Sequence, residues 1–187
     1  RAGAYLRTSG GMAAAYWAMR GIFTASEAQR LAEHYLGRRV AWDDDLFGAE
    51  PPAGGDPRDG VSYLECTRYM QNQLLRDSDV MSMAWGLELR VPLVDRALAE
   101  AVGRIPASRR LAAGKQLLLE AVPEIPPWVA QAAKRGFAFP FQSWLAADWG
   151  DVAERIDRET PVGLGTWYRR WTVLTLQHFL QEQGLAA

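Results

Sequence analysis

A chain of 187 residues with 49% hydrophobic and 23% charged residues has the composition of an ordinary globular protein, long enough for one sizeable core. Its formal charge of -1 gives no electrostatic case for nucleic acid or an anionic membrane as partner. The longest apolar runs, such as Leu117-Leu118-Leu119, are too short to span a bilayer, and the first residues lack the continuous apolar stretch of a secretory signal.

Taken in chain order, the predicted elements are helices. Gly10-Gly11 leads into an alanine-rich helix, and Thr24-Ala25-Ser26-Glu27 reads as a capping box. Leu31, Ala32, Tyr35 and Leu36 follow it at helical spacing, and Gly37 stops them. His34 falls late in this helix, where it meets the C-terminal dipole. Residues 42 to 60 hold Asp43-Asp44-Asp45 and Pro51-Pro52-Ala53-Gly54-Gly55-Asp56-Pro57, a loop and the expected flexible connection. Cys66, Tyr69, Met70 and Leu74 mark one face of a further helix. As the single cysteine, Cys66 cannot form an internal disulfide, so a reducing, cytoplasmic compartment is expected. With no histidine near it in sequence, it reads as a small buried apolar residue rather than a catalytic thiol.

Asp95 precedes a stripe of Leu98, Ala101, Val102 and Ile105, ended by Pro106. A short helix carrying Leu117, Leu118 and Ala121 follows Gly114, and Pro127 starts another after the bend at Pro123-Glu124-Ile125-Pro126. The last helix places Trp167, Trp171 and Leu174 on one face, extended by Phe179 and Leu180, and its aromatic residues read as core. His178 continues that stripe as a packed or edge residue. The two histidines have no metal-ligand spacing, so no protein-held metal site is expected. The chain is read as one mainly α piece, residues 1 to 187.

Two segments stand out chemically. Pro92 disfavours helix at Val91, so Leu87 to Pro92 is expected to be extended. Alternation then puts Leu87, Leu89 and Val91 on one side and Glu88 with Arg90 on the other. From the pattern alone, a buried or half-buried salt bridge is favoured over a catalytic carboxylate. In Ala133-Lys134-Arg135-Gly136-Phe137-Ala138-Phe139-Pro140, two cations stand before a glycine. This suits a phosphate-binding turn, although a solvated surface turn before a helix at Pro140 is the commoner outcome.

The series Asp79, Ser82-Met83-Ala84, Glu88-Leu89-Arg90-Val91-Pro92, Asp95, Gly114-Lys115 and Lys134-Arg135-Gly136-Phe137 with Trp144 resembles, in order, the C-terminal part of the glutamine-hydrolysing asparagine synthetase family. The likeness is densest over residues 69 to 145. Val80 departs from it, since many members carry arginine after the aspartate. The resemblance implies the helical C-terminal portion of an α/β adenine-nucleotide-hydrolase-like (PP-loop ATP pyrophosphatase) synthetase domain. It implies a ligase that uses ATP and Mg2+ to activate the aspartate side-chain carboxylate as an acyl-adenylate. Ammonia from glutamine, supplied by an N-terminal glutaminase domain, then forms the amide. Carried over by motif, Glu88 positions ammonia and accepts its proton, and Lys134 contacts phosphate during adenylation. Ser82, Met83, Ala84 and Gly86 line the same pocket, with Arg135 beside Lys134. Arg90 reads as a structural partner and Asp95 as an N-cap.

Two likenesses are set aside. Thr8-Ser9-Gly10-Gly11-Met12 carries Ala13 and Ala14 where the family's pyrophosphate loop has Asp and Ser. Asp45-Leu46-Phe47-Gly48 lies in the proline- and glycine-rich loop, after that helix rather than before it. With those parts and a glutaminase nucleophile missing, and Arg1 at the start, the expectation is a C-terminal fragment, inactive alone, with most ATP and Mg2+ ligands outside it. A lactam- or peptide-cyclising relative and a non-catalytic helical interaction module stay open, as does a homo-oligomer formed through uncovered apolar surface.

Overall fold

The structure is a computed structural model, and it describes residues 10–41, 50–112, 115–133 and 139–185. All regular structure among these residues is helical, as the mainly α expectation has it. In chain order the helices are α1 (Met12–Arg20), α2 (Ala25–Leu36), α3 (Pro57–Leu64), a π-helix (Glu65–Leu75) and α4 (Arg76–Met83). After these come α5 (Arg96–Gly103), α6 (Ala107–Arg110), α7 (Gln116–Ala121), α8 (Pro127–Ala130), α9 (Phe141–Asp148), α10 (Gly150–Glu159) and α11 (Trp167–Glu182). The chain divides into two compact units: Arg1–Ala49 with Gly136–Ala187, and Glu50–Arg135. No helix among the described residues is long and apolar enough to cross a membrane.

In the first unit, Gly10 and Gly11 (φ 81° and 107°) lead into α1 as expected. Thr24 and Glu27 cap α2 reciprocally: Thr24 Oγ1 accepts from the Glu27 amide at 3.3 Å, and Glu27 Oε2 accepts from the Thr24 amide at 2.8 Å. Gly37 ends the helix at φ 61°, a conformation that would strain a side-chain-bearing residue. His34 lies in the last turn of α2, edge-on to Tyr35 with ring centroids 4.8 Å apart. The core gathers Phe23, Leu31, Ile156, Val162, Leu164 and Val173. Beside it, the Tyr35 hydroxyl meets Thr160 Oγ1 at 3.0 Å and joins α2 to the end of α10.

The face of α11 agrees with the expected one at Leu174 and Leu180 and departs from it at Trp171 and Phe179. Val173 joins the core, with Leu174 packed against it, and Leu180 is buried, while Trp171 is 46% exposed and Phe179, like His178, lies at the surface.

The second unit is built differently. Of the expected loop at 42–60, residues 42–49 lie outside the described residues, 50–56 are irregular, and 57–60 are already the first turn of α3. Asp56 caps that turn by accepting from the Arg58 amide at 2.9 Å, and Pro57 sits where a missing N–H costs nothing. The Arg58 guanidinium, then its amide, hold the Asp56 carboxyl down at about 2. Helix α3 passes without a break into the π-helix. Its wider i→i+5 coil makes a face drawn at 3.6 residues per turn drift, so Tyr69 and Met70 are half-buried while Leu74 is exposed. Cys66 is exposed as well, contrary to its expected burial.

The buried hydrophobic residues of this unit, among those described, are Leu64 and Ala107. The stripe of α5 has the helical spacing expected of it but is not covered, with Leu98 and Ala101 exposed and Val102 and Ile105 half-buried. Ion pairs tie its periphery: Arg110 to Asp59, and Arg109 to Glu120 at 3.0 Å. Lys115 stands ahead of α7 at φ 60°, a left-handed conformation uncommon outside glycine.

Candidate functional site

The segment from Ser82 to Asp95 is a helix end, a turn, an irregular stretch and a second helix start. Helix α4 closes on a paired backbone motif: the Gly86 amide donates to the Met83 carbonyl, and the Leu87 amide donates to the Ser82 carbonyl, both at 3.0 Å. Gly86 occupies the left-handed position that this closure needs, at φ 67°. Gly86 thus has a backbone role that spacing alone missed, though a glycine just past the last helical residue is the usual sign of one. Replacing Gly86 by alanine is expected to cost about 1–2 kcal/mol through left-handed strain. Hydrogen exchange at the amides of Gly86 and Leu87 measures it, and protection equal to wild type would refute the strain.

Beyond the cap, Leu87 to Val91 is non-helical, as expected from Pro92. Glu88 and Arg90 project together: Arg90 Nη2 lies 2.9 Å from Glu88 Oε1. The pair is not buried or half-buried, however, since the two side chains are 73% and 82% exposed. Among the described residues of this unit the buried hydrophobics are Leu64 and Ala107, neither of them in the stretch that carries the pair. The same stretch displays Met83, Trp85 (81% exposed), Leu87, Leu89 and Leu93 at the surface. Such a run of exposed hydrocarbon is characteristic of a surface meant to be covered.

The rest of the block is placed as follows. Ser82 is half-buried and its hydroxyl donates to the Asp79 carbonyl at 3.2 Å, an in-helix bond that α4 makes by running on past Asp79 to Met83. Met83 and Ala84 are exposed at the helix end. Asp95 is an N-cap, its Oδ1 accepting from the Leu98 amide at 2.8 Å. Lys134 and Arg135 lie outside the described residues, as does Asp45-Leu46-Phe47-Gly48. The structure therefore describes the Glu88 part of the expected site. Downstream, in the first unit, Trp144 packs with Phe139 and Phe141, and Phe141 stacks on Trp167 at 4.8 Å between centroids.

A family model described as asparagine synthase matches residues 4–181. The asparagine synthetase (glutamine-hydrolyzing) 1 of Bacillus subtilis (strain 168) is 31% identical over 144 residues, which is 74% of this chain and 22% of that protein. The putative asparagine synthetases (glutamine-hydrolyzing) of Mycobacterium bovis and Mycobacterium tuberculosis (strain H37Rv) are each 32% identical over 105 residues, 54% of this chain and 16% of theirs. The chain thus spans less than a quarter of the length of these relatives. No solved structure gives a significant match. With nearly its whole length inside the family model, the chain belongs to the asparagine synthase family.

Proposed function

We propose that this chain is the C-terminal part of an ATP-dependent, glutamine-hydrolysing asparagine synthetase and forms one wall of its synthetase site. The observation that carries the proposal is the Ser82–Asp95 block. It presents Glu88 at the surface, between a helix cap and a helix start, amid hydrocarbon awaiting a cover.

In this assignment ATP supplies the adenylyl group that activates the aspartate side-chain carboxylate, with release of pyrophosphate. Glu88 orients the incoming ammonia and accepts its proton as the amide bond forms and AMP leaves the acyl carbon, which is general-base work. Lys134, with Arg135 beside it, answers charge developing on the phosphates. Ser82, Met83, Ala84 and Gly86 line the pocket, Gly86 by fixing where the chain leaves α4. Among the described residues no group of three or more His, Cys, Asp or Glu side chains is placed to hold a metal ion. They do not fit a Mg2+ cage, and the ion's ligands are assigned outside them, like the glutaminase domain that provides ammonia. The surrounding domain is assigned a PP-loop fold, and the compartment is the cytoplasm.

The test is aspartate-dependent exchange of pyrophosphate into ATP. The complete protein is expected to catalyse it and the purified 187-residue chain is not. Exchange by the isolated chain would falsify the one-wall assignment. Exchange driven by a different carboxylic acid would favour a lactam- or peptide-cyclising enzyme, and no exchange by the complete protein would favour a helical interaction module.

A further inference from the structure

Resting on the assignment of Glu88 as the base, we propose that Arg90 is its positioning residue, holding the carboxylate in place without touching the reactants. The stretch between Leu87 and Val91 lacks regular structure, so something other than a helix or sheet must fix its side chains. Its ends are fixed. Upstream, the paired bonds from Gly86 and Leu87 close α4; downstream, the Val94 amide donates to the Val91 carbonyl at 2.9 Å and Asp95 caps α5. Between these anchors the glutamate side chain still has three rotatable bonds, and holding such a chain in one arrangement costs about 1.5–2 kcal/mol of rotamer freedom. Among the described residues, the group that meets the Glu88 carboxylate is the guanidinium of Arg90, two residues on and on the same side of the chain.

The chemistry of this partner suits the task. A guanidinium has five donors and no acceptor, so it binds the carboxylate without competing for the ammonia proton. The contact is a single one, Arg90 Nη2 to Glu88 Oε1, and a carboxylate has about four acceptor sites, enough for a second partner such as ammonia. A purely stabilising role accounts poorly for the pair. Ion pairs with both partners this exposed contribute about 0–1 kcal/mol to folding. Arg90 is therefore expected to matter to the reaction far more than to the stability of the fold.

The experiment uses the complete protein with ammonia as nitrogen donor, which bypasses glutamine hydrolysis. Amide formation and aspartate-dependent ATP–pyrophosphate exchange are measured for wild type, Glu88→Gln, Arg90→Ala, Arg90→Lys and the double variant. Glu88→Gln is expected to lower kcat for amide formation by about 10²–10⁴-fold, the usual contribution of a general base. Arg90→Ala is expected to lower it by about 10–10²-fold, the scale of a misplaced catalytic group, with a larger loss in amide formation than in exchange. Arg90→Lys should recover part of that loss. The double variant should be no worse than Glu88→Gln, because Arg90 acts only through Glu88.

Arg90→Ala with wild-type amide formation, beside an inactive Glu88→Gln, overturns the positioning role alone. So does a loss from Arg90→Ala shared equally by both reactions and by the thermal midpoint, which marks a structural role. If Arg90→Ala does not fold, Arg90→Lys decides: wild-type amide formation or a parallel loss of midpoint overturns the role, whereas a selective loss in amide formation supports it. Wild-type amide formation by Glu88→Gln overturns the base assignment itself, and the proposal with it.

Discussion

Replacing Lys134 by alanine in the complete protein is expected to lower aspartate-dependent ATP–pyrophosphate exchange by about 10²–10³-fold, the cost of removing one donor aimed at developing transition-state charge. The physical reason is that negative charge accumulates on the phosphates as the bond to pyrophosphate breaks. A lysine ammonium answers it as a compact point charge. Glutamine hydrolysis, assigned to a separate domain, is expected to continue in the same variant. Lys134→Arg retains the charge but replaces a small rotating ammonium with a planar fork, so exchange should fall between wild type and Lys134→Ala. Wild-type exchange in Lys134→Ala would sink the role given to this residue. Loss of glutamine hydrolysis in parallel with exchange would point to a global folding defect instead.

What the sequence made legible follows from how local each signal is. The capping box at Thr24 and Glu27, the stop at Gly37, the N-cap at Asp95 and the helix start at Pro127 each depend on residues within a few positions, and each is in place. The pairing of Glu88 with Arg90 was equally local, needing only that Pro92 keep the segment extended. Burial was the poorer inference because it depends on what packs opposite. The apolar flank of Glu88 and much of the stripe of α5 stay exposed, because the described residues of the second unit pack little over them. Cys66 and Leu74 depart from their expected face for another reason, since nothing in their spacing announces a π-helix. On α11 the expected face holds at Leu174 and Leu180, whereas Trp171 and Phe179 stay exposed and the core takes Val173. Gly86 stood in plain view as a helix stop, and its position inside a family block concealed that backbone role.

Arg169→Met is expected to loosen the first unit, because one guanidinium there joins segments far apart in the chain. Its Nη2 donates to both oxygens of Glu27, at 2.9 and 2.8 Å, and its Nε donates to the Ile22 carbonyl at 3.2 Å. Its Nη1 donates to the Gly163 carbonyl, and its plane lies over the Phe23 ring at 4.6 Å. Both members of the ion pair are only 20% exposed. Methionine keeps the length and the hydrocarbon but leaves the Glu27 carboxylate short of its cation. Breaking a fully buried pair costs about 3–5 kcal/mol, and the residual access of water here reduces the expected loss to about 2–3 kcal/mol. Amides of α2 and α11 should then exchange roughly 30–150-fold faster, at about 1.4 kcal/mol per tenfold. Burial, the largest single influence on Glu27, raises its pKa, but the Thr24 amide, the bonds from Arg169 and the Thr24 hydroxyl together outweigh it and hold it below the ordinary 4.5. A depressed carboxyl pKa stabilises the fold above the unfolded value and loses that contribution as pH falls through the folded one. The wild-type unit should therefore weaken with acid below about pH 4.5, the unfolded-state value, and Arg169→Met should weaken less steeply over that window. Glu27→Gln, which cannot ionise, should lose that part of the pH dependence while retaining some of the hydrogen bonds. Equal acid sensitivity in all three proteins would show that the Glu27–Arg169 pair does not set the stability of this unit.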